Sequence, residues 1–380
     1  MNFDFSEDQI MIRQTAKEFA ESEIAPSAIQ RDIDAVFPTE IVKKLGELGF
    51  LGMMVPPEYG GAGLDTISYV LAMIEISKVD ASVGVIMSVN NSLVCYGLEK
   101  YGSIYIKEKY LTPLASGQKL GAFALSEPEA GSDATKQKTT ADKDGEYYKL
   151  NGIKNWITNG LSADYYLVIA STDKDKGHHG ISAILVEKGT EGFSHGKKED
   201  KLGIRSSDTC SLTFENCKVP VQNLVWEEGK GFNFAMNTLN GGRIGIASQA
   251  IGIAEASFEA ALKYSKERKA FGSTISNFQA IQFKLADMAV KIEAAKMLTL
   301  QAAALKDAGK KYYKEAAMAK LYSSKIAVEC ALEAIQIHGG YGYVREYLVE
   351  RYLRDAKITE IYEGTSEIQN IVIARALLDS

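Results

Sequence analysis

A block of short β-rich runs separates two long stretches with helical periodicity, and this change of texture constrains the fold most strongly. Between about residues 120 and 226, apolar runs such as 165–169 and 181–186 alternate with turn dipeptides. These dipeptides favour tight turns because they tolerate positive φ, and they are Asp144-Gly145, Asn151-Gly152 and Asn159-Gly160. We therefore predict a compact antiparallel β domain over residues 121–230, placed between helical domains.

Both flanks of this block carry apolar residues at helical spacing. In the N-terminal flank, residues 1–120, Ser6 and Gln9 form a capping-box pattern, and the first helix is expected to stop at Pro26. A second helix is predicted from Pro38 to near Gly49. In the C-terminal flank, residues 231–380, four long amphipathic patterns with brief connections favour a helical bundle; the last two cover residues 314–337 and 347–362. The predicted fold class is α+β with mostly α structure.

Composition and charge exclude several classes of protein. The 380 residues contain 43 Lys and Arg against 49 Asp and Glu, a net charge of −6 without basic blocks, which argues against nucleic acid as a partner. Apolar runs are strand-sized and the first five residues do not resemble an export signal, so we expect no membrane partner. The expected location is the cytoplasm, or the mitochondrial matrix if the chain is a processed form.

Common catalytic and cofactor motifs are missing from the sequence. It contains no Gly-x-Gly-x-x-Gly after a predicted strand, no P-loop, no Gly-x-Ser-x-Gly and no His-Glu-x-x-His. The cysteines Cys95, Cys210, Cys217 and Cys330 are scattered, so we expect no metal site. A dinucleotide-binding Rossmann enzyme, a P-loop nucleotidase, a serine hydrolase and a zinc peptidase are all disfavoured.

Four longer segments, in this order, resemble the acyl-CoA dehydrogenase family over essentially the whole chain. They are Phe123-Ala124-Leu125-Ser126-Glu127-Pro128-Glu129-Ala130-Gly131-Ser132-Asp133, Asn155-Trp156-Ile157-Thr158-Asn159-Gly160, Glu267-Arg268-Lys269-Ala270-Phe271-Gly272 and Ile361-Tyr362-Glu363-Gly364-Thr365-Ser366-Glu367-Ile368-Gln369. The resemblance implies an N-terminal helical domain, a middle β-barrel-like domain and a C-terminal four-helix bundle. It also implies bound FAD, a homotetramer and an electron-transfer flavoprotein as the electron acceptor.

The resemblance assigns the catalytic base to Glu363. The residues alone favour a surface glutamate, because glutamate is rarely buried unpaired, and Glu360 and Glu367 are equally acidic neighbours. Desaturation of an acyl thioester removes a proton from Cα while a hydride leaves Cβ for flavin N5, so the base must be desolvated and its pKa raised toward neutrality. Ser366 and Gln369 are expected to cap the helix that follows.

The family pattern also implies a set of FAD contacts, several of which cross subunits. Trp156 would lie near the ring system, Thr158 would reach N5 and Arg268 would bind the pyrophosphate of a neighbouring subunit's FAD. Without the resemblance, Trp156 would be interpreted as core or hairpin packing, Arg268 as a solvated cation at a helix end and His338 as a packed or solvated histidine. The full set is Phe123, Leu125, Ser126, Gly131, Ser132, Trp156, Ile157, Thr158, Arg268, Phe271, Gln279, Gln336, Ile337, His338, Gly339, Gly340, Thr365 and Glu367.

The residues around Gly242 match the substrate contacts of the short-chain, or butyryl-CoA, branch. The implied acyl-CoA contacts are Ser132, Asn240, Gly241, Gly242, Arg243, Glu363 and Gly364. Asn240 departs from the family's aspartate, and Arg243 would otherwise be expected to hold a helix start through a salt bridge. The isovaleryl branch places its base on this helix, where the chain has Gly242, and the glutaryl branch needs a cation that residues 81–87 do not contain.

We therefore predict an FAD-dependent enzyme that converts a short-chain acyl-CoA to the trans-2-enoyl-CoA. Two alternatives remain within this chemistry: an acyl-CoA dehydrogenase with another chain-length preference, and an acyl-CoA oxidase that passes electrons to oxygen. A third alternative of a different class is a helical binding protein that kept the fold and lost catalysis.

Overall fold

A computed structural model describes residues 4–379 and shows helical regions on both sides of a central mixed sheet. The first three residues, on which the expectation about export partly rests, lie outside the described residues. The helices before the sheet are α1 (Glu7–Phe19), α2 (Ala25–Asp34), α3 (Thr39–Glu47), α4 (Thr66–Val79), α5 (Ala81–Ser88), α6 (Tyr96–Tyr101), α7 (Ile104–Ile106) and α8 (Thr112–Ala115). The helices after it are α9 (Gly231–Glu267), α10 (Gln279–Asp307), α11 (Tyr313–His338), α12 (Val349–Thr359) and α13 (Ser366–Leu378).

The first helix begins as predicted but does not stop at Pro26. Ser6 and Gln9 form the capping box at the start of α1. A π-helical turn, Ala20–Ile24, joins α1 to α2, and Pro26 occupies the first turn of α2. The expected stop was wrong because proline is tolerated in a first turn, where its missing N–H would have had no intrahelical partner.

The continuous helical segment Ala81–Tyr101 corrects the expectation that apolar runs are only strand-sized. By length and composition alone it could cross a membrane, but 94% of its most apolar window is buried inside the fold. It contains α5, a π-helical turn and α6. Its small and polar side chains, such as Asn90 and Asn91, bond to carbonyl groups of neighbouring segments. The segment is therefore a core helix of this fold.

The sheet is mixed rather than wholly antiparallel. Its strands are β1 (Gly121–Ala124), β2 (Thr140–Asp144), β3 (Tyr147–Thr158), β4 (Tyr165–Ser171), β5 (Ile181–Glu187), β6 (Phe193–His195), β7 (Thr209–Pro220) and β8 (Leu224–Val225), and a separate short ribbon pairs β9 (Lys269–Ala270) with β10 (Ser273–Thr274). The main order is β6-β7-β3-β2-β4-β5-β8. Strand β1 pairs in parallel with β4, and β2 meets β4 in parallel at one position. The chain between each of these two strands and β4 is long enough for the crossover connection that parallel pairing requires.

Only one of the three turn dipeptides forms a hairpin. Asp144 pairs with Tyr147, so Gly145 lies in the tight turn between β2 and β3 with a φ of 61°. Gly152 instead lies inside β3 at a register shift against β7, where its φ of 145° accommodates a bulge. Asn159-Gly160 follows β3, but β3 pairs with β2 and β7 rather than with β4. It forms the predicted tight turn, with the Gly160 N–H donating to the carbonyl of Ile157 at 3.1 Å and a φ of 62° at Asn159, but this turn does not close a hairpin.

The long helix α9 lies at the centre of the helical part. It packs against α4, α5, α10, α11 and α12. Gly252 permits the close approach to α4, because a Cβ at this position would lie 2.6 Å from the carbonyl oxygen of Ile74. Residues of the helices and of β4 and β5 share one hydrophobic core. This packing places the middle of α9 beside the segment between α12 and α13.

Candidate active site

Glu363 lies in the short segment between α12 and α13 with its backbone in a left-handed conformation. Helix α12 ends at Thr359, earlier than the predicted end near Tyr362. The φ angles of Glu363 and Gly364 are 52° and 91°, so the chain turns sharply at these two residues. This turn sends the glutamate side chain inward instead of along the surface of a continuing helix.

The Glu363 carboxylate is buried, although the residue as a whole is only half-buried. Its Oε2 atom is inaccessible and has no hydrogen-bond partner within residues 4–379. Desolvation by burial raises the pKa of Glu363 to about 7, against the opposing effect of two cations, Lys320 and Arg243. An unpartnered buried carboxylate with a pKa near neutrality is able to accept a proton at physiological pH.

The structure distinguishes Glu363 from its two acidic neighbours. Glu360 forms an ion pair with Lys357 at an Oε2–Nζ distance of 2.6 Å. Glu367 is exposed in the first turn of α13. Neither carboxyl group is both buried and without a partner, as that of Glu363 is. Geometry therefore singles out Glu363, which charge in the sequence could not do.

A glycine of α9 provides the space for the Glu363 carboxylate. A Cβ at Gly242 would lie 1.9 Å from Oε2 of Glu363 and 2.8 Å from Cδ2 of Leu93. Both distances are shorter than real Cβ contacts, so only glycine fits here without displacing the carboxylate. The neighbouring Gly241 is less restrictive, because its Cβ would meet the carbonyl oxygen of Ser92 at 3.6 Å.

Arg243 faces the same buried region. The residue is 6% exposed, its Nη1 lies 2.5 Å from Oδ1 of Asn240, and its Nε has no hydrogen-bond partner among the described residues. Burial lowers the pKa of Arg243, while the Glu363 charge acts in the opposite direction. Arg243 lies well inside α9, so the alternative that it holds a helix start was wrong.

Thr365, and not Ser366, caps the helix after the glutamate. The Thr365 hydroxyl accepts a hydrogen bond from the backbone N–H of Ile368 at 3.4 Å. Gln369 is not part of the cap. Its Nε2 instead donates to the carbonyl oxygens of Glu363 at 3.2 Å and of Gly364 at 2.8 Å. The predicted cap was therefore wrong by one residue, and Gln369 stabilises the turn that carries Glu363.

Two of the predicted cofactor segments are hydrogen-bonded to each other beside the sheet. The backbone N–H of Asn155 donates to the carbonyl of Ser126 at 2.8 Å. This bond joins the end of β1 and the loop after it, with Phe123 and Leu125, to the end of β3, with Ile157 and Thr158. Trp156 has a φ of 61° and is 61% exposed, so it is not core packing. Gly131 and Ser132 are exposed farther along the same loop.

A second group of predicted cofactor residues lines an open cavity of about 540 Å³. Arg268 lies 5.5 Å from the centre of the Tyr341 ring, and the His338 ring stacks on Tyr264 with centroids 4.2 Å apart. Nδ1 of His338 lies 2.7 Å from the carbonyl oxygen of Ala334. His338 is therefore a packed histidine, and it forms part of the cavity wall. The other predicted residues in the lining are Ile337, Gly339 and Gly340.

Three further predicted cofactor residues belong neither to this cavity nor to the segments around Trp156. Phe271 is 98% exposed with a φ of 50°, and Gln279 and Gln336 are also exposed. The roles implied for them across subunits therefore stay predictions.

Comparisons with known proteins identify the family. Models of the acyl-CoA dehydrogenase N-terminal, middle and C-terminal domains match residues 6–118, 122–217 and 229–378. The chain belongs to the acyl-CoA dehydrogenase family. It is 55% identical over 370 residues to the mitochondrial short-chain specific acyl-CoA dehydrogenase of Mus musculus, covering 97% of this chain and 90% of that protein.

Two solved structures show how closely this acyl-CoA dehydrogenase fold is shared. Butyryl-CoA dehydrogenase from Megasphaera elsdenii is 48% identical, with a TM-score of 0.98 and 100% coverage of both chains. A chain from work described as "Electron transferring flavoprotein of Acidaminococcus fermentans" is 53% identical, with a TM-score of 0.99 and 100% coverage of both. The predicted fold class and the resemblance to acyl-CoA dehydrogenases are confirmed.

Sequence reasoning missed two buried lysines beside the acyl-CoA dehydrogenase motifs. Lys154 is fully buried in β3, and its Nζ donates to the carbonyl of Leu125 at 3.0 Å and to Glu127 at 2.8 Å. It therefore fixes the loop after β1 against the strand that carries Trp156. Lys320 of α11 bonds to the turn at Glu363. A lysine inside an amphipathic pattern normally indicates a solvated face, so neither had a signal in the sequence.

Proposed function

We propose that this chain is an FAD-dependent dehydrogenase that converts short-chain acyl-CoA to trans-2-enoyl-CoA, with Glu363 as the base. The observation that carries the proposal is the buried, unpartnered carboxylate of Glu363 against Gly242 within the described chain. The relatives named as short-chain specific and butyryl-CoA dehydrogenases support the substrate class. Electrons would leave to an electron-transfer flavoprotein, in line with the context of the solved Acidaminococcus chain.

The residues present fit FAD by their chemistry. Arg268 offers a planar cation to a pyrophosphate, His338 and Tyr264 offer an aromatic wall, and Gly339 and Gly340 leave open space where a Cβ would point. Trp156 and the loop after β1 would hold the flavin ring of the same FAD, because the implied FAD contacts come from more than one subunit. When bound, FAD supplies the acceptor for the hydride that leaves Cβ of the substrate.

Glu363 would remove the Cα proton through its free Oε2 atom. Burial excludes water from the carboxylate and makes it a stronger base than a solvated glutamate. Lys320 and Arg243 act in the opposite direction and keep the ionised form accessible near neutral pH. The backbone N–H of Glu363 would donate a hydrogen bond to the thioester carbonyl, where negative charge develops as the proton leaves.

The rate of substrate-dependent flavin reduction should depend on pH through Glu363. Because the folded-state pKa is raised to about 7, the active ionised form predominates above pH 7 and is lost below it. We expect the rate to fall about tenfold for each unit of pH below about 6 and to level off above about 8. Anaerobic stopped-flow measurements between about pH 5.5 and 9 would check this. A rate that rises on acidification would contradict the assignment.

Removal of the Arg268 guanidinium should weaken FAD retention. Arg268→Ala takes away the charged donor of the cavity, and charge-assisted hydrogen bonds to phosphate contribute about 1.5–3 kcal/mol each, equivalent to roughly 10- to 100-fold in affinity. Flavin absorbance after dialysis measures the loss. Lys269→Ala, which removes the adjacent exposed cation, is the matched control and should retain flavin. Equal retention by both variants would disprove the pyrophosphate role.

Two alternatives within the family are separable by experiment. The rates of flavin reduction by a series of acyl-CoAs of increasing length would give the chain-length preference. The reduced flavin of an oxidase would reoxidise rapidly in air with formation of peroxide, whereas that of the proposed dehydrogenase would reoxidise slowly. A non-catalytic binding protein would show no reduction by any acyl-CoA.

The assembly and the location are part of the proposal. Exposed apolar residues in α10 and in the segment before it, including Phe283 and Phe271, support a homotetramer in which cofactor contacts cross subunits. The predicted division into domains at residues 1–120, 121–230 and 231–380 stays a prediction. The proposed location is the cytoplasm, or the mitochondrial matrix for a processed form, because relatives come from both bacteria and mitochondria.

A further inference from the structure

A buried lysine of α11 holds the turn that carries Glu363. The Lys320 side chain is completely buried, and its Nζ donates to the carbonyl oxygen of Gly364 at 2.8 Å. The amide of Gln369 donates to the same oxygen at 2.8 Å. Two donors converging on one carbonyl fix the orientation of the peptide unit that joins Gly364 to Thr365, one residue after Glu363.

The turn needs such support because its backbone is unfavourable. Glu363 has a φ of 52°, a region that residues with a Cβ rarely adopt, and Gly364 follows with a φ of 91°. On the other side, the Tyr362 hydroxyl donates to Gln249, whose Nε2 donates to the carbonyl of Ala81 at 2.7 Å. The turn is therefore held from α11 and α13 on one side and from α9 on the other.

Lys320 also acts on the Glu363 carboxylate through its charge. The cations Lys320 and Arg243 lower the pKa of Glu363, and the Glu363 charge in turn raises the pKa of the phenols of Tyr69 and Tyr362. Burial lowers the pKa of Lys320 to about 8, and the Glu363 charge opposes this effect. Lys320 is therefore still cationic at neutral pH, where it favours the ionised form of the glutamate.

The charges that face Lys320 come from three other elements. After Glu363, the cation Arg243 of α9 lowers its pKa, whereas Glu360 and Glu367 at the ends of α12 and α13 raise it. The Nζ–Oε2 pair of Lys357 and Glu360 partly neutralises one of these carboxylates. Of the charged groups around Lys320, Glu363 has the largest effect on its pKa. The electrostatic coupling between Lys320 and Glu363 is therefore stronger than that between Lys320 and the other three groups.

We propose that Lys320 is a positioning residue for Glu363. Lys320 acts through the Gly364 carbonyl, which holds the Glu363 carboxylate against Gly242, and through its charge, which keeps that carboxylate ionisable. The proposal rests on the proposed role of Glu363 in the reaction. Its physical content, the coupling of the two residues, is measurable without turnover.

Lys320→Met, which removes the donor and the charge but keeps an unbranched side chain, tests the coupling. Protonation of Glu363 is measured by its infrared carboxyl band in the FAD-loaded protein. This band is identified as the one that disappears in Glu363→Gln. We expect half-protonation at about pH 7 in the wild type and about one pH unit higher in Lys320→Met, since an opposite charge nearby typically shifts a carboxyl pKa by about 1–3 units. An unchanged titration would overturn the proposal.

Kinetics test the positioning role. At about pH 9, where Glu363 is ionised in both proteins, flavin reduction in Lys320→Met should remain about 10²-fold slower, because a displacement of about 1 Å at the reacting group has an effect of this size. Lys320→Gln, which retains a neutral donor, should recover part of this rate but not the original titration. A wild-type rate in Lys320→Met at the same alkaline pH would overturn the positioning role.

A matched control separates this effect from loss of a desolvated lysine in general. Lys306 of α10 is half-buried, and desolvation likewise lowers its pKa to about 8, but its charged neighbours are Asp307, Lys100 and Glu99 rather than Glu363. Lys306→Met should leave the infrared titration of Glu363 unchanged, and a shift equal to that of Lys320→Met would overturn the proposal. If the wild-type protein reduces no flavin with any acyl-CoA, the proposed function fails, while the infrared titration still decides the coupling.

Discussion

Glu363→Gln should retain FAD and bind acyl-CoA, yet reduce the flavin roughly 10²- to 10⁴-fold more slowly than the wild type, the range typical of a lost general base. Glutamine has nearly the same shape as glutamate and fits the same space against Gly242. It cannot accept the Cα proton. The substitution therefore removes the chemistry of the base and preserves the binding geometry.

Rapid-mixing spectroscopy under anaerobic conditions measures this effect through the loss of flavin absorbance. Glu360→Gln is the matched control, because it removes the nearest acid of the same segment, whose partner is Lys357 at the surface. That variant should reduce its flavin at close to the wild-type rate. Comparable rates for Glu363→Gln and the wild type would mean that another group removes the proton.

Gly242→Ala should slow flavin reduction by about 10²-fold through displacement of the same carboxylate. The added methyl group would lie 1.9 Å from Oε2 of Glu363, and the carboxylate is the most mobile part of that contact. The side chain therefore moves away from its buried position. Overpacking against Leu93 should also lower the free energy of unfolding by about 1–3 kcal/mol.

The comparison with Gly241→Ala makes this prediction specific. The methyl group of that variant would meet the carbonyl oxygen of Ser92 at 3.6 Å, which is an ordinary contact. Its effect on the flavin reduction rate should be much smaller than that of Gly242→Ala. Equal effects of the two substitutions would show that helix α9 responds to any added methyl group, and would remove the argument for a space reserved for the carboxylate.

The sequence predicts the arrangement of elements better than their connections. Apolar periodicity located the β-rich block and the long C-terminal helices, because burial acts on each element through local spacing. The signals for the ends of elements failed at Pro26, which fits in the first turn of α2, and at Gly152, which fits in a bulge inside β3. Apolar periodicity also failed to predict the parallel pairing of β1 with β4, since pairing partners distant in sequence leave no local pattern.

The candidate site shows the same division between motif and surroundings. The motif around Glu363 selected this residue by resemblance, but charge alone did not distinguish it from Glu360 and Glu367, whereas burial in the structure does. Lys320 and Gln369, which hold the turn, come from separate helices; Lys320 had no signal in the sequence, and Gln369 was predicted only as part of a helix cap. Their role depends on a tertiary contact at one carbonyl oxygen, which periodicity and composition do not encode.

Anaerobic addition of butyryl-CoA to the FAD-loaded protein, followed by longer acyl-CoAs in separate samples, tests the central claim most directly. We expect the yellow colour to bleach, fastest with the short acyl chains and with little bleaching in Glu363→Gln. A flavin that stays oxidised with every acyl-CoA, in a protein that retains its cofactor, would contradict the account.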